Sequence, residues 1–287
     1  MNSYVIVTES STDLTVAEAE ELGVVMLDLS VVFEGKEPVE NREVDIKSFY
    51  ERLRQKETIT TAAINMERFS QVFCNLLAEG KDVLYMGFSS ALSGTYAAGR
   101  LAAEEAAAQY PGRTVLTVDT KCASLGQGLL VYLAAQKQKA GSTLEETYAY
   151  VNDAIPHLCH QFTVNDLFFL KRGGRVSTAT AVIGTMLSIK PVMHVDDEGR
   201  LVKVGTVRGR RASVNALFDK TAKGAIAPAE QVMYICHGDC IEDAEYLAGR
   251  LQKELGVKEV RIGYTGAVIG AHSGPGTLAV FYLGTER

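Results

Sequence analysis

The sequence predicts an α/β protein of two domains. Residues 1–160 read as a parallel-type α/β sheet domain, and residues 161–287 as an α/β sandwich with a mixed sheet. Three observations carry this. Apolar, β-branched runs alternate with helical stretches through the first half, as in a parallel sheet covered by helices. Beyond about residue 160 the runs shorten, and Asp197-Glu198-Gly199 separates two of them as the turn of an antiparallel hairpin. Charge changes at the same place: residues 1–160 hold 13 basic and 22 acidic side chains, residues 161–287 hold 16 and 13. A length of 287 residues suits two domains of about 150 residues each.

Each element is set by its residues. Segment 4–8 reads as a buried strand and 15–22 as a helix stopped by Gly23. Segment 24–33 is apolar and β-branched around Asp28, so it reads as one strand. Pro38 restricts its neighbourhood to an edge or a loop. Asp45 and Asn65 are placed to cap helices reaching Gln55 and Glu79, the second closed by Gly80. A strand over 82–88, an Ala-rich helix over 93–110 and a strand over 113–118 come next. Helices over 124–140 and 143–157 complete this half. The second half reads as a short strand at 162–165, a helical turn at 166–171 and a helix at 176–187. The hairpin strands are 192–196 and 201–207. Then come a helix at 211–223, a strand at 231–237, a helix at 241–255, and strands at 259–264 and 277–283.

Composition excludes several classes. Apolar residues make up 47% and charged residues 22%, which is globular rather than disordered or collagen-like. A net charge of −6 and a pI near 5.5 argue against nucleic acid as a general partner. The longest apolar candidate, 179–189, is too short for a membrane span. The first strand begins with no basic segment ahead of it, and the five Cys contain no C-x-x-C pair. Both point to a reducing cytoplasm without a disulfide framework. Residues 171–211 hold 9 basic and 3 acidic side chains, which suits an anionic ligand, an acidic partner or a solvated face.

The richest segment is Gly87-Phe88-Ser89-Ser90-Ala91-Leu92-Ser93-Gly94-Thr95-Tyr96. A strand ends there and a helix begins, and hydroxyls with free N–H groups at a helix N-terminus attract an anion. Thr58-Ile59-Thr60-Thr61 reads as a polar loop between two helices, able to converge on Ser93 at the sheet edge. Thr8-Glu9-Ser10-Ser11-Thr12-Asp13 comes directly after the first strand and reads as a pocket rim or an ordinary turn. Gly126 and Gly128 on a helix mark close helix–sheet packing; they are too few for a dinucleotide fingerprint. Lys171-Arg172-Gly173-Gly174-Arg175 and Arg208-Gly209-Arg210-Arg211 supply guanidinium groups suited to carboxylate or phosphate. Segment 270–276, with His272, reads as a tight loop. The groups His157, Cys159, His160 and Cys236, His237, Cys240 lack the paired ligand steps of a structural zinc site and read as core or strand-end residues. No metal or cofactor is expected, and no ATP-binding G-x-x-x-x-G-K-[ST] motif is present.

Taken in order, Thr60-Thr61, Phe88 to Tyr96, Lys171 to Val176, Ile189-Lys190-Pro191 and His272-Ser273-Gly274-Pro275-Gly276 resemble the DegV family of fatty acid-binding proteins across the whole chain. The resemblance implies a long-chain fatty acid buried between two α/β domains. It implies a carboxylate held by Thr61 and Ser93, in a site with Thr60, Gly94, Ser11 and His272. Some members resemble the binding subunit of a bacterial fatty acid kinase. There a separate kinase subunit converts the bound carboxylate to an acyl-phosphate for phospholipid synthesis; Arg175 and Arg208 are the matching head-group or partner residues. The chain departs from the family at Thr60-Thr61-Ala62-Ala63, usually Thr-Ser-x-Pro, and at Glu9, usually Asp. The expected class is a lipid-binding protein rather than an enzyme. The rival reading is a serine hydrolase using Ser89 or Ser93, because Gly87-Phe88-Ser89-Ser90-Ala91 nearly forms a nucleophile elbow and His237 or His272 comes later in the chain. A polar small-molecule enzyme or sensor in the same crevice is a further alternative.

Overall fold

The computed structural model describes residues 3–177 and 188–287. Strand β1 (Tyr4–Glu9) pairs in parallel with β2 (Val25–Leu27) on one side and β6 (Asp82–Gly87) on the other, and β6 pairs in parallel with β7 (Val115–Asp119). The order β2-β1-β6-β7 reverses between β1 and β6. The crevice outside the carboxyl ends of strands at such a reversal is where open α/β sheets bind ligands. Side chains alternate across this sheet, as strand geometry requires. Val7, Val83 and Tyr85 pack towards α3 (Met66–Ala78) and α4 (Thr95–Gln109). Ile6, Leu84 and Met86 pack towards α5 (Leu125–Lys139) and α6 (Leu144–Ala154).

The caps read from the sequence at Asp45 and Asn65 are made, and a further one is present: Thr15 and Glu18 form a reciprocal box at the start of α1 (Val16–Leu22). The Asp45 carboxylate accepts from Ser48 N–H (2.8 Å) at α2 (Ile46–Arg54), and Asn65 accepts from Arg68 N–H (2.9 Å) at α3. Such caps are worth about 1 kcal/mol each.

A small antiparallel sheet of order β4-β3-β5 flanks this layer, formed by β3 (Ser30–Phe33), β4 (Val39–Glu40) and β5 (Ile59–Ala62). It corrects two sequence expectations. Segment 24–33 is two strands in different sheets, bent at Asp28-Leu29. Arg42 Nε grips both Asp28 carboxylate oxygens (2.7 and 2.9 Å), and Leu29 N–H donates to the Ser10 hydroxyl (3.0 Å). Thr60 and Thr61 are strand residues, paired with Val32 and Val31, rather than a loop.

The six-stranded sheet has the order β10-β9-β8-β13-β11-β12, formed by β8 (Leu158–Thr163), β9 (Ile189–Val195), β10 (Leu201–Arg208), β11 (Val232–His237), β12 (Glu259–Tyr264) and β13 (Leu278–Leu283). Among the described residues of this sheet only the β11–β12 pair is parallel, and β9–β10 is the expected hairpin. Strand β8 starts four residues before its expected position, because His160 and Gln161 make its first half look polar. The helical turn expected at 166–171 is α7 (Phe168–Arg172), and the helix expected over 176–187 falls mostly outside the described residues. Cys159, Met233, Ile235 and Val280 face the outer helices α8 (Arg210–Gly224) and α9 (Ile241–Leu255). Phe162, Tyr234, Cys236 and Phe281 face inward, towards α5. A Cβ on Gly126 would fall on the His160 ring, and one on Gly128 would lie 2.9 Å from the Thr12 carbonyl, so these glycines do mark close packing.

Candidate functional site

A cavity of about 240 Å³ lies between the carboxyl-end loops of the parallel sheet and the inner face of the mixed sheet. Leu29, Phe88 and Leu92 line it from the first side, and Phe162, Val195 and Phe281 from the second. Its polar wall includes Thr61, Ser93, Gly94, Arg175 and His272. A second cavity of about 250 Å³, bordered by Thr58, Thr60, Arg172 and Gly173, shares Thr61, Arg175 and His272 with the first. The polar group therefore stands where the two cavities adjoin.

Each of these side chains is positioned by its own element. Thr61 is half-buried on β5, and its hydroxyl lies 2.9 Å from His272 Nε2. Thr60 next to it is exposed and borders the second cavity alone, as alternation along a strand dictates. His272 lies in the last turn of α10 (Ala267–Ser273), where the sequence suggested a loop. Asn41 anchors that helix: its Oδ1 accepts from Val268 N–H (2.9 Å) and its Nδ2 donates to the Ser10 carbonyl (3.1 Å). Gly173 is required beside His272, because a Cβ there would overlap Nδ1. Burial first, then the charges of Arg175 and Arg172, push the His272 pKa down to about 4. The imidazole is neutral at neutral pH, and it shares one hydrogen with the Thr61 hydroxyl.

Ser93 precedes the N-terminus of α4. Its hydroxyl lies 2.9 Å from Thr95 Oγ1 and accepts from Thr95 N–H (3.2 Å). Open space lies where a Gly94 side chain would stand. Arg175 donates through Nε to the Leu92 carbonyl (3.1 Å) and also bonds the Gly173 carbonyl. Among the described residues no carboxylate pairs with it, and half-burial lowers its pKa. Two hydroxyls, a helix N-terminus and an uncompensated guanidinium form a cradle for one anionic oxygen pair.

Other candidates lie elsewhere. Ser11 does not line the cavity. It is fully buried, and its hydroxyl donates to Gln127 Oε1 (2.9 Å) within a network around Glu9. The Glu9 carboxylate also receives Tyr85 O–H, Phe88 N–H (3.1 Å) and Gln127 Nε2 (2.8 Å), yet burial outweighs these bonds and pushes its pKa up to about 7. The loop after β1 is thus internal structure rather than a pocket rim. Arg208 is exposed at the end of β10 and lines neither cavity, whereas Arg175 sits with the hydroxyls. Ser89 is fully buried, with its hydroxyl donated to the Gly199 carbonyl (2.9 Å), so it is not poised as a nucleophile. His237 accepts from Cys240 N–H (3.2 Å) and packs on Tyr264. Among the described residues no three His, Cys, Asp or Glu side chains group as a metal site, and no helix is long and apolar enough to cross a membrane. Sequence reasoning did not assign Leu29, Ser124, Thr265 or Ser273 to the wall; Leu29 reads as strand core, and a single Thr265 after β12 carries no motif of its own.

Known proteins share this architecture. The model of the family described as "Uncharacterised protein, DegV family" matches residues 3–285. A DegV domain-containing protein of Clostridium perfringens is 43% identical, covering 100% of this chain and 99% of its own. A fatty-acid-binding DegV family protein of Thermus thermophilus superposes with a TM-score of 0.87 at 32% identity, over 99% of this chain and 100% of its own. DegV of Bacillus subtilis, described as a fatty acid binding protein, superposes at 0.84 with 27% identity, over 99% and 100%. The chain belongs to the DegV family.

Proposed function

We propose that this protein binds a long-chain fatty acid. The tail lies in the apolar cavity between the two α/β domains, and the carboxylate lies against Thr61, Ser93 and the Gly94 N–H. Arg175 and His272 complete the head site. The observation that carries this reading is a mostly apolar cavity with a cationic, hydroxyl-rich group in its wall, a group that also borders a second cavity beside Arg172 and Thr60. The fatty-acid-binding relatives at 27% and 32% identity support it. At roughly 0.8 kcal/mol per buried methylene, a tail of about sixteen carbons offers on the order of 10 kcal/mol gross, reduced by the entropy of association. Binding alone requires no nucleophile and no cofactor.

The finer reading is a role as the non-catalytic subunit of a fatty acid kinase in the bacterial cytoplasm, supplying phospholipid synthesis. A separate kinase would hold ATP at the second cavity. A carboxylate oxygen attacks the γ-phosphorus, ADP departs, and an acyl-phosphate remains. The exposed Arg208 serves as a docking contact for that partner. Denaturing mass spectrometry of gently purified protein tests the first step: a stoichiometric fatty acid is expected. A ligand-free protein that also fails to take up stearate in solution would overturn it.

A further inference from the structure

Most polar side chains in the cavity wall are already committed. Thr277 donates to the Ser273 and Gly274 carbonyls (3.0 and 2.8 Å). His160 is bonded to the Leu158 carbonyl (3.2 Å) and the Ala123 N–H (3.3 Å). Ser124 donates to the Asp13 carboxylate. Two hydroxyls differ. Thr265 is 0% exposed and Ser273 6% exposed, both line the cavity, and among the described residues neither oxygen has a nitrogen or oxygen partner. Buried polar groups are nearly always satisfied, so each exception calls for an explanation.

Ser273 comes directly after His272 and belongs to the carboxylate end. Thr265 lies on the far side of α10, seven residues earlier in the chain. Five helical steps of about 1.5 Å from Ala267 to His272, with the extended link through Gly266 before them, put the two ends roughly 10 Å or more apart. Around Thr265 the wall carries the Ser124 hydroxyl and the Cys236 thiol, which lies against both oxygens and whose pKa burial pushes up to about 12. A neutral thiol is a weak partner and leaves the Thr265 proton without a good acceptor. Ser124 has given its own proton to Asp13, so its oxygen still accepts.

The geometry points to a second polar subsite at Thr265, Ser124 and Cys236 that takes a hydroxyl group in the middle of the acyl chain. With the carboxylate at Thr61 and Ser93, a placement that rests on the fatty acid reading above, the ligand hydroxyl accepts from Thr265 and donates to Ser124. An extended chain advances about 1.2 Å per bond, as three backbone bonds span about 3.6 Å. A separation of roughly 10 Å then corresponds to eight or nine bonds, which places the hydroxyl near the ninth or tenth carbon.

The test compares 10-hydroxystearate with stearate by calorimetric titration of the delipidated full chain. Wild type is expected to bind 10-hydroxystearate at least as tightly as stearate. Thr265→Val keeps the side-chain volume and the backbone carbonyl that accepts from Tyr50 (2.7 Å). It should lose roughly tenfold or more in affinity for the hydroxylated chain relative to stearate, because an unmatched hydroxyl keeps its desolvation cost. Thr265→Ser should restore the preference, and Ser273→Ala should move both ligands together. Tenfold discrimination by wild type against 10-hydroxystearate would overturn the subsite, as would equal loss of both ligands in Thr265→Val. A wild type that binds neither ligand would instead overturn the fatty acid reading and the subsite with it.

Discussion

Replacing Thr61 by Val removes one oxygen and leaves a β-branched side chain on β5, where Thr61 pairs with Val31. Two interactions go. The first is the 2.9 Å contact with His272 Nε2. At about 0.5–1.5 kcal/mol its loss should lower the melting temperature by less than about 6 °C in a protein of this size. The second is the hydrogen bond to the ligand carboxylate. Bonds to charged groups are worth about 1.5–3 kcal/mol, so the fatty acid dissociation constant should rise about 10- to 150-fold. Calorimetric titration with stearate, beside a thermal melt of the free protein, separates the two. A variant that melts normally and binds stearate with wild-type affinity would refute the placement of the head group.

The same geometry sets four further outcomes. Ser93→Ala should weaken fatty acid binding comparably while costing about 1 kcal/mol of stability, because the Thr95 N–H loses its acceptor; an unchanged titration would remove Ser93 from the site. Arg175→Glu should abolish binding by placing a carboxylate beside the ligand's own. Arg208→Glu should leave binding intact and lower acyl-phosphate yield with a kinase subunit; equal yields would make Arg208 an ordinary solvated residue. Glu9 has a folded pKa of about 7, above its unfolded value, so the fold binds an extra proton between about pH 4.5 and 7. Its contribution is therefore present at pH 4.5 and lost as pH rises to 7. Glu9→Gln should flatten that decline in denaturant titrations, and an unchanged pH profile would show that Glu9 stays ionised.

The sequence made the architecture legible because strand and helix periods dominate long stretches, and because Asp45, Asn65 and Gly23 punctuate them. It failed where tertiary contacts override local pattern. Residues 24–33 look like one strand because nothing local shows that Arg42 will seize Asp28 and that Ser10 will take the Leu29 N–H. Thr60-Thr61 looks like a loop because its pairing partner, β3, lies some thirty residues away. The Gly-rich segment around His272 looks like a turn, yet Asn41, more than two hundred residues earlier, caps it into a helix. Of the site residues, Thr61, Ser93, Gly94, Arg175 and His272 converge on one wall, whereas Ser11 points into the interior. A hydroxyl after a strand looks the same in sequence whether it faces a cavity or a buried glutamate.

The magnitudes assign different work to the two ends of the cavity. The tail offers on the order of 10 kcal/mol before entropy, against about 1.5–3 kcal/mol for each charged hydrogen bond at the head. On the proposed fatty acid reading, affinity therefore comes mainly from the apolar wall, and the head group fixes which way the chain lies and how far it enters. The charge balance fits that role. Arg175 has no carboxylate partner among the described residues, and its field, with that of Arg172 and with burial, keeps His272 neutral. One arriving carboxylate supplies the missing counter-charge and relieves the repulsion that depresses the imidazole pKa. A proton on His272 is then favoured by the ligand itself. If that gain outweighs burial, the larger cause of the low pKa, binding takes up hydrogen ions and affinity should fall as pH climbs through the raised value. An NMR titration of the imidazole with and without stearate reads this directly. Superimposable curves would leave His272 as a hydrogen-bonding prop for Thr61 and no more.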